Sequence, residues 1–246
     1  MCADPNVDIA ILSFLHLIKG SNSLPASDMF ALCNDKVKDT DLATCADWED
    51  VINTCQQNGK KVLLSIGGAT MEDSFDDPVE GPKEFAKQVW DLYGEGSGLE
   101  KFRPYGKAVL DGFDMDIENH HPEGWVNFAK EMKAHFKTGT KEYLLTAAPQ
   151  CPRPDASLLD AVYEVDHLYI QFYNNESCGK QNIPKSFGEW SKDILAKSPN
   201  TKLFVGLPGA EESAIKGYYM SEEKLGFVEQ LKNDPAYGGL MTWDVS

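Results

Sequence analysis

The stretch Asp111-Gly112-Phe113-Asp114-Met115-Asp116-Ile117-Glu118 decides how this chain is read. In an extended strand successive side chains alternate faces, so Asp114, Asp116 and Glu118 share one face while Phe113, Met115 and Ile117 share the other. A strand with one wet face would scatter lysine, threonine and serine among its polar positions; here every polar position is an acid. Carboxylates roughly 7 Å apart along one face cannot all ionise at low cost. The set is therefore expected to share protons and to hold one member neutral near pH 7, as a proton donor.

Working outward, short apolar runs recur at Ile9 to Phe14, Val62 to Ile66, Leu110 to Glu118, Tyr143 to Ala147, His167 to Tyr173, Leu203 to Gly206 and Gly239 to Trp243. Helical spacing fills the intervals: Trp48, Val51, Ile52 and Cys55, then Ala86, Val89, Trp90 and Tyr93, then Trp125, Phe128, Ala129, Met132 and Phe136. Each set puts one apolar stripe on an amphipathic helix. Strand and helix in alternation predict a parallel sheet flanked by helices. No Pro-rich or Ser-rich linker divides the 246 residues, so one domain over 1–246 is expected.

A net charge of −16 leaves no basic surface to neutralise phosphates, which argues against nucleic-acid or anionic-membrane partners. No apolar run reaches the roughly 20 residues of a membrane span, and the first residues do not read as a signal peptide. Six cysteines without zinc-type spacing, clustered in polar segments, lean toward disulfides and an oxidising compartment. Six cysteines allow 15 connectivities, and spacing alone does not choose among them. The one glycosylation sequon, Asn175-Glu176-Ser177, is too short to carry weight.

Several runs end in residues suited to a rim: Ser65-Ile66-Gly67-Gly68, Ala147-Ala148-Pro149-Gln150, Gln171-Phe172-Tyr173-Asn174-Asn175, Gly206-Leu207-Pro208-Gly209 and Trp243-Asp244. In a (β/α)8 barrel the C-terminal strand ends open onto the face where the active site is built. Seven runs are found where a closed barrel has eight strands. An open doubly wound sheet is the alternative, but it wants a Gly-rich phosphate loop after an early strand, and Glu95-Gly96-Ser97-Gly98 follows a helical pattern instead.

The octet matches the DxxDxDxE pattern of glycoside hydrolase family 18, and the chain resembles its class III chitinases of fungal and plant type. Ser65-Ile66-Gly67-Gly68 resembles the family's SxGG strand end. Tyr169 to Asn175, Leu207-Pro208 and Gly239 to Trp243 resemble later strand ends, in the family's order. The resemblance implies a TIM (β/α)8-type barrel lacking its first strand and last helix, and with that strand an aromatic residue of the sugar site. It also implies disulfides Cys2–Cys55, Cys33–Cys45 and Cys151–Cys178, and secretion.

The same resemblance implies retaining endo-hydrolysis of β-1,4-linked N-acetylglucosamine polymers, assisted by the substrate's own acetamide group. Glu118 is then the general acid and base, Asp116 the partner of the acetamide nitrogen, Asp114 its proton-sharing neighbour and Tyr173 the donor to the acetamide carbonyl. Gln171, Asn174, Trp243, Gly67 and Gly68 are the expected sugar contacts, Trp243 as a stacking floor and the glycines for close backbone approach. No cofactor or metal is expected, and the expected partner is chitin or its oligosaccharides, bound by a monomer. Three carboxylates could instead hold Mg²⁺ or Ca²⁺, although of the other strand tails only that at Asp244 carries an acid. A lectin-like or inhibitory relative on the same fold, keeping the groove without turnover, is the alternative of a different class.

Overall fold

A computed structural model describes residues 1–29, 33, 35–45, 47–215 and 226–244. The chain divides into two compact units, Met1–Leu145 and Thr146–Ser246.

In the first unit, β1 (Ile9–Leu17) pairs antiparallel with the short β2 (Ala26–Ser27), and the two-residue strands β3 (Asp35–Lys36) and β4 (Ala43–Thr44) pair antiparallel as a hairpin. Helix α1 (Trp48–Gln57) leads to β5 (Lys61–Gly67), which runs parallel to β1 on one side and to β6 (Gly112–Asp116) on the other. Between β5 and β6 lies α2 (Glu80–Tyr93), and α3 (Trp125–Phe136) follows β6. Parallel strands covered by helices should read as continuous apolar runs, and β5 is buried from Val62 to Gly67. Phe85 of α2 meets Trp125 and Phe128 of α3 in an aromatic cluster with ring centroids 5.4–6.4 Å apart. Trp125, Phe128, Ala129 and Met132 have no solvent exposure, as their spacing predicted. Val51 departs from the expected stripe: it lies 49% exposed, and α1 buries only Ile52 and Cys55.

The second unit contains β7 (Leu144–Ala147, from the junction), β8 (His167–Gln171), α4 (Ile183–Lys197), β9 (Lys202–Pro208), the short α5 (Val228–Leu231) and β10 (Tyr237–Trp243). These four strands pair in parallel, β10 with β9, β9 with β8 and β8 with β7. Helix α4 buries Ile183, Phe187, Trp190 and Ile194, a stripe at helical spacing.

The described residues thus hold three parallel strands in the first unit and four in the second, one for each apolar run. Strand followed by helix, with parallel neighbours, is the α/β pattern of the (β/α)8-barrel class. All six cysteines are paired, Cys2–Cys55, Cys33–Cys45 and Cys151–Cys178, with Cα atoms 4.5, 5.1 and 5.9 Å apart, inside the range that a disulfide spans. Among the described residues no helix is long and apolar enough to cross a membrane.

Candidate active site

Strand β6 carries Asp114 and Asp116, the first two acids of the alternation. Phe113, Met115 and Ile117 are fully packed, and on the opposite face Asp114 and Asp116 are only 2% and 8% exposed. Both faces are therefore buried, so the acidic face is enclosed rather than wet. Glu118 lies two residues past the end of the strand and is half-buried.

The ladder stops at Asp116 for a local reason. Its partner on β5 is Gly67, at φ +115°, followed by Gly68 at φ +84°, backbone angles that only glycine adopts freely. A Cβ on Gly67 would strike the Asp116 carbonyl, and one on Gly68 would lie 2.8 Å from the Phe14 ring. The Gly68 N–H instead donates to the Asp116 carbonyl at 2.8 Å, closing the strand end.

Two residues of this unit join the site without having been assigned to it from sequence. Ser65 stands opposite Asp114 in the ladder and donates its hydroxyl to Asp114 Oδ2 at 2.7 Å. Its signal was the serine of Ser65-Ile66-Gly67-Gly68, which faces the same way as the acids one strand over. Phe14 packs at Gly68, and its backbone is clamped by Asp28: Phe14 N–H donates to Asp28 Oδ1 at 3.1 Å, and Asp28 N–H donates to the Phe14 carbonyl at 3.2 Å. No periodicity marks such a residue. Beyond Glu118, Asn119 Nδ2 donates to the Asp73 carbonyl at 2.6 Å, and Asp73 Oδ2 accepts the Ile18 N–H at 2.9 Å. These bonds tie the segment after the acid to the loop after β5 and to the end of β1.

The fourth carboxylate of the octet is separate. Asp111 Oδ1 pairs with Lys141 Nζ at 2.6 Å, and Asp111 Oδ2 accepts Val62 N–H at 2.9 Å and Gln56 Nε2 at 2.8 Å. It sits before β6 starts, at the end away from Glu118.

In the second unit, Gln171 ends β8 at 3% exposure, Tyr173 follows at 7%, and Asn174 is exposed at φ +60°. Gln171 Nε2 donates to the Ala148 carbonyl at 2.9 Å, Gln150 Nε2 donates to Gln171 Oε1 at 3.1 Å, and Asn175 Nδ2 donates to Gln150 Oε1 at 2.6 Å. The nitrogen of the Asn175 sequon is thus engaged within the protein. Trp243 closes β10 opposite Pro208, half-buried, its carbonyl accepting the Gly209 N–H at 2.8 Å. Among the described residues no three His, Cys, Asp or Glu side chains are grouped to hold a metal ion.

The chain is 39% identical over 252 residues to the endochitinase of Saccharomyces cerevisiae, covering all of this chain and 43% of that protein. Among solved structures, the ICChI chitinase of Ipomoea carnea superposes with a TM-score of 0.86 at 28% identity, covering 99% of this chain and 88% of that one. The xylanase and α-amylase inhibitor protein XAIP-II of Scadoxus multiflorus superposes at 0.83 and 30% identity, covering 99% and 86%. The chain spans about half the length of the curated relatives it matches. The model of glycosyl hydrolases family 18 matches residues 3–226, which contain the acidic strand, the double glycine and the Gln171 to Asn175 segment. The chain belongs to glycosyl hydrolases family 18.

Proposed function

We propose that this chain is a retaining endochitinase domain. The observation that carries the reading is the tail of β6: Asp114 and Asp116 buried on one face, Ser65 bonded to the first of them, and a half-buried Glu118 just beyond. Of the three carboxyls Glu118 is the one least enclosed by the fold, and so the one that a substrate can reach.

Glu118 then gives its proton to the glycosidic oxygen. The carbonyl oxygen of the substrate's 2-acetamido group attacks the anomeric carbon as the bond to the leaving sugar breaks, forming an oxazolinium ion. Asp116 accepts the acetamide N–H and balances the positive charge, and Asp114 shares a proton with Asp116. Water next attacks the anomeric carbon from the vacated side while Glu118 takes its proton, so configuration is retained. Tyr173 donates to the acetamide carbonyl, Gln171 and Asn174 bond the sugar, Trp243 stacks on it, and Gly67 and Gly68 admit it close to the backbone. The substrate is chitin or its oligosaccharides. The protein acts as a monomer, outside the cell, where its three disulfides persist.

The test is proton NMR of chitotetraose incubated with the purified chain. Early accumulation of the β-anomer is expected. Binding of the sugar with an unchanged anomeric spectrum would overturn the reading in favour of a glycan-binding or inhibitory protein, the class that the name of the Scadoxus neighbour brings in.

A further inference from the structure

Three carboxamides in the second unit form a head-to-tail chain whose direction is dictated at both ends. At one end Gln171 Nε2 meets the Ala148 carbonyl at 2.9 Å; at the other Asn175 Nδ2 meets the Tyr173 carbonyl at 3.2 Å. A backbone carbonyl can only accept, so each of these terminal amides must turn its nitrogen to it. Gln150 sits between them and has one consistent orientation: its oxygen accepts from Asn175 and its nitrogen donates to Gln171 Oε1. The reversed amide would set oxygen against oxygen on one side and nitrogen against nitrogen on the other. Carboxamides aligned in this way polarise one another.

Covalent and backbone ties hold the chain in register. Gln150 forms a bridge to Gln171, whose N–H donates to the Pro149 carbonyl at 2.9 Å, and the Gln150 N–H donates to Asp155 Oδ2 at 2.8 Å. The next residue, Cys151, is joined by its disulfide to Cys178, three residues after Asn175. We infer that Gln150 and Asn175 are positioning residues: their directional relay fixes which way the second N–H of Gln171 points and anchors the backbone of Tyr173. This rests on the reading of Gln171 and Tyr173 as sugar contacts.

Gln150→Glu tests the relay, because the change keeps shape and removes the donor only when ionised. The carboxylate can accept from Asn175 but opposes Gln171 Oε1; the protonated acid can do both, accepting on one oxygen and donating from the other. Its pKa should exceed the free glutamate value of about 4.3, since an acceptor faces it. Relative to the unaltered protein, kcat/KM of the Gln150→Glu variant on chitotetraose should therefore rise roughly tenfold between about pH 7 and about pH 5. Gln150→Met, which can neither donate nor accept, should be impaired by a factor that does not change with pH. A pH-independent ratio for Gln150→Glu would overturn the inference. Should the unaltered chain bind or cleave no chitotetraose, the proposed function fails, and the relay is decided by side-chain amide NMR. Exchange-protected Gln171 and Asn175 NH₂ signals, with Gln171 perturbed in Gln150→Glu at about pH 7 and restored at about pH 5, would uphold it. Freely exchanging signals would overturn it.

Discussion

Ser65 donates its hydroxyl to Asp114 Oδ2 across the β5–β6 ladder at 2.7 Å, and both residues are 2% exposed. A buried carboxylate that loses a donor loses one of the few groups that can satisfy it. Ser65→Ala should lower kcat on chitotetraose about tenfold, a cost of the size expected for one buried hydrogen bond to an acid. KM should barely move, because the Ser65 hydroxyl is buried and committed to Asp114. Steady-state kinetics separate the two parameters, and a variant impaired only in KM would contradict this role.

Glu118 stands apart from Asp114 and Asp116 in being half-buried and past the end of the ladder. Glu118→Gln keeps the volume and removes the transferable proton. Turnover should fall by about 100-fold to 10,000-fold, the usual span for general acid catalysis, while calorimetry still detects chito-oligosaccharide binding. Loss of binding along with turnover would move Glu118 from chemistry to recognition.

The fold and these residues were legible to different degrees in the sequence, and the differences have physical causes. Period-two alternation made Asp114, Asp116 and Glu118 visible as one face; the strand carries the first two of them, and Glu118 follows two residues past its end. The seven strands and the helices α1 to α3 followed from apolar spacing, although α2 also buries Pro82, Phe85, Asp91 and Leu92 beside the stripe that the spacing named. Helix α4 went unassigned although Ile183, Phe187, Trp190 and Ile194 carry the same signal, because Pro184 and Gly188 lower its helical propensity. The octet was read as a strand from Leu110, but the ladder covers only Gly112–Asp116, since Gly67 and Gly68 turn β5 away. What periodicity cannot carry is partnership across distant segments. The Gln150–Gln171 and Asn175–Gln150 bonds join residues 21 and 25 apart, and nothing in local spacing announces them.

Asp111 looks like a fourth member of the acidic face but is bound by Lys141, Val62 N–H and Gln56. Its removal should therefore damage the fold before the chemistry. Asp111→Ala leaves the buried Val62 N–H without this acceptor and takes the carboxylate from Lys141, which keeps the Val109 carbonyl, at a cost of about 3 kcal/mol. Urea unfolding of the variant should show that loss, and kcat measured where the variant remains folded should be close to that of the unaltered chain. A normal midpoint with depressed kcat would place Asp111 in the active site after all.

Glycine substitutions should separate two kinds of position. Gly188 lies exposed within α4, with nothing near the place a Cβ would occupy. Gly188→Ala should stabilise by about 0.5–1 kcal/mol through helix propensity, raising Tm by roughly 1–4 °C in a chain of this size. Gly67→Ala meets both a positive φ and the Asp116 carbonyl, and should destabilise by more than about 2 kcal/mol. Equal effects at the two sites, read by calorimetry, would refute the strain assigned to Gly67.

Asp41 sets an acid limit on the first unit. The Ser21 hydroxyl at 2.5 Å and the Ser21 N–H at 2.9 Å, followed by Lys36 Nζ at 3.1 Å, hold its carboxyl down at about 2. These bonds fasten the turn at Ser21–Ser23 to the segment beside the β3–β4 hairpin. A carboxylate whose folded pKa lies below its unfolded value of about 3.9 stabilises the fold above that value, and the contribution is lost as pH falls toward about 2. The side chain is about a third exposed, so solvent screens much of the effect. Asp41→Asn should therefore lower Tm modestly at neutral pH, and the gap between variant and unaltered protein should close between about pH 4 and about pH 2. A gap that stays constant down to about pH 2 would mean that the Ser21 bonds do not depend on the Asp41 charge.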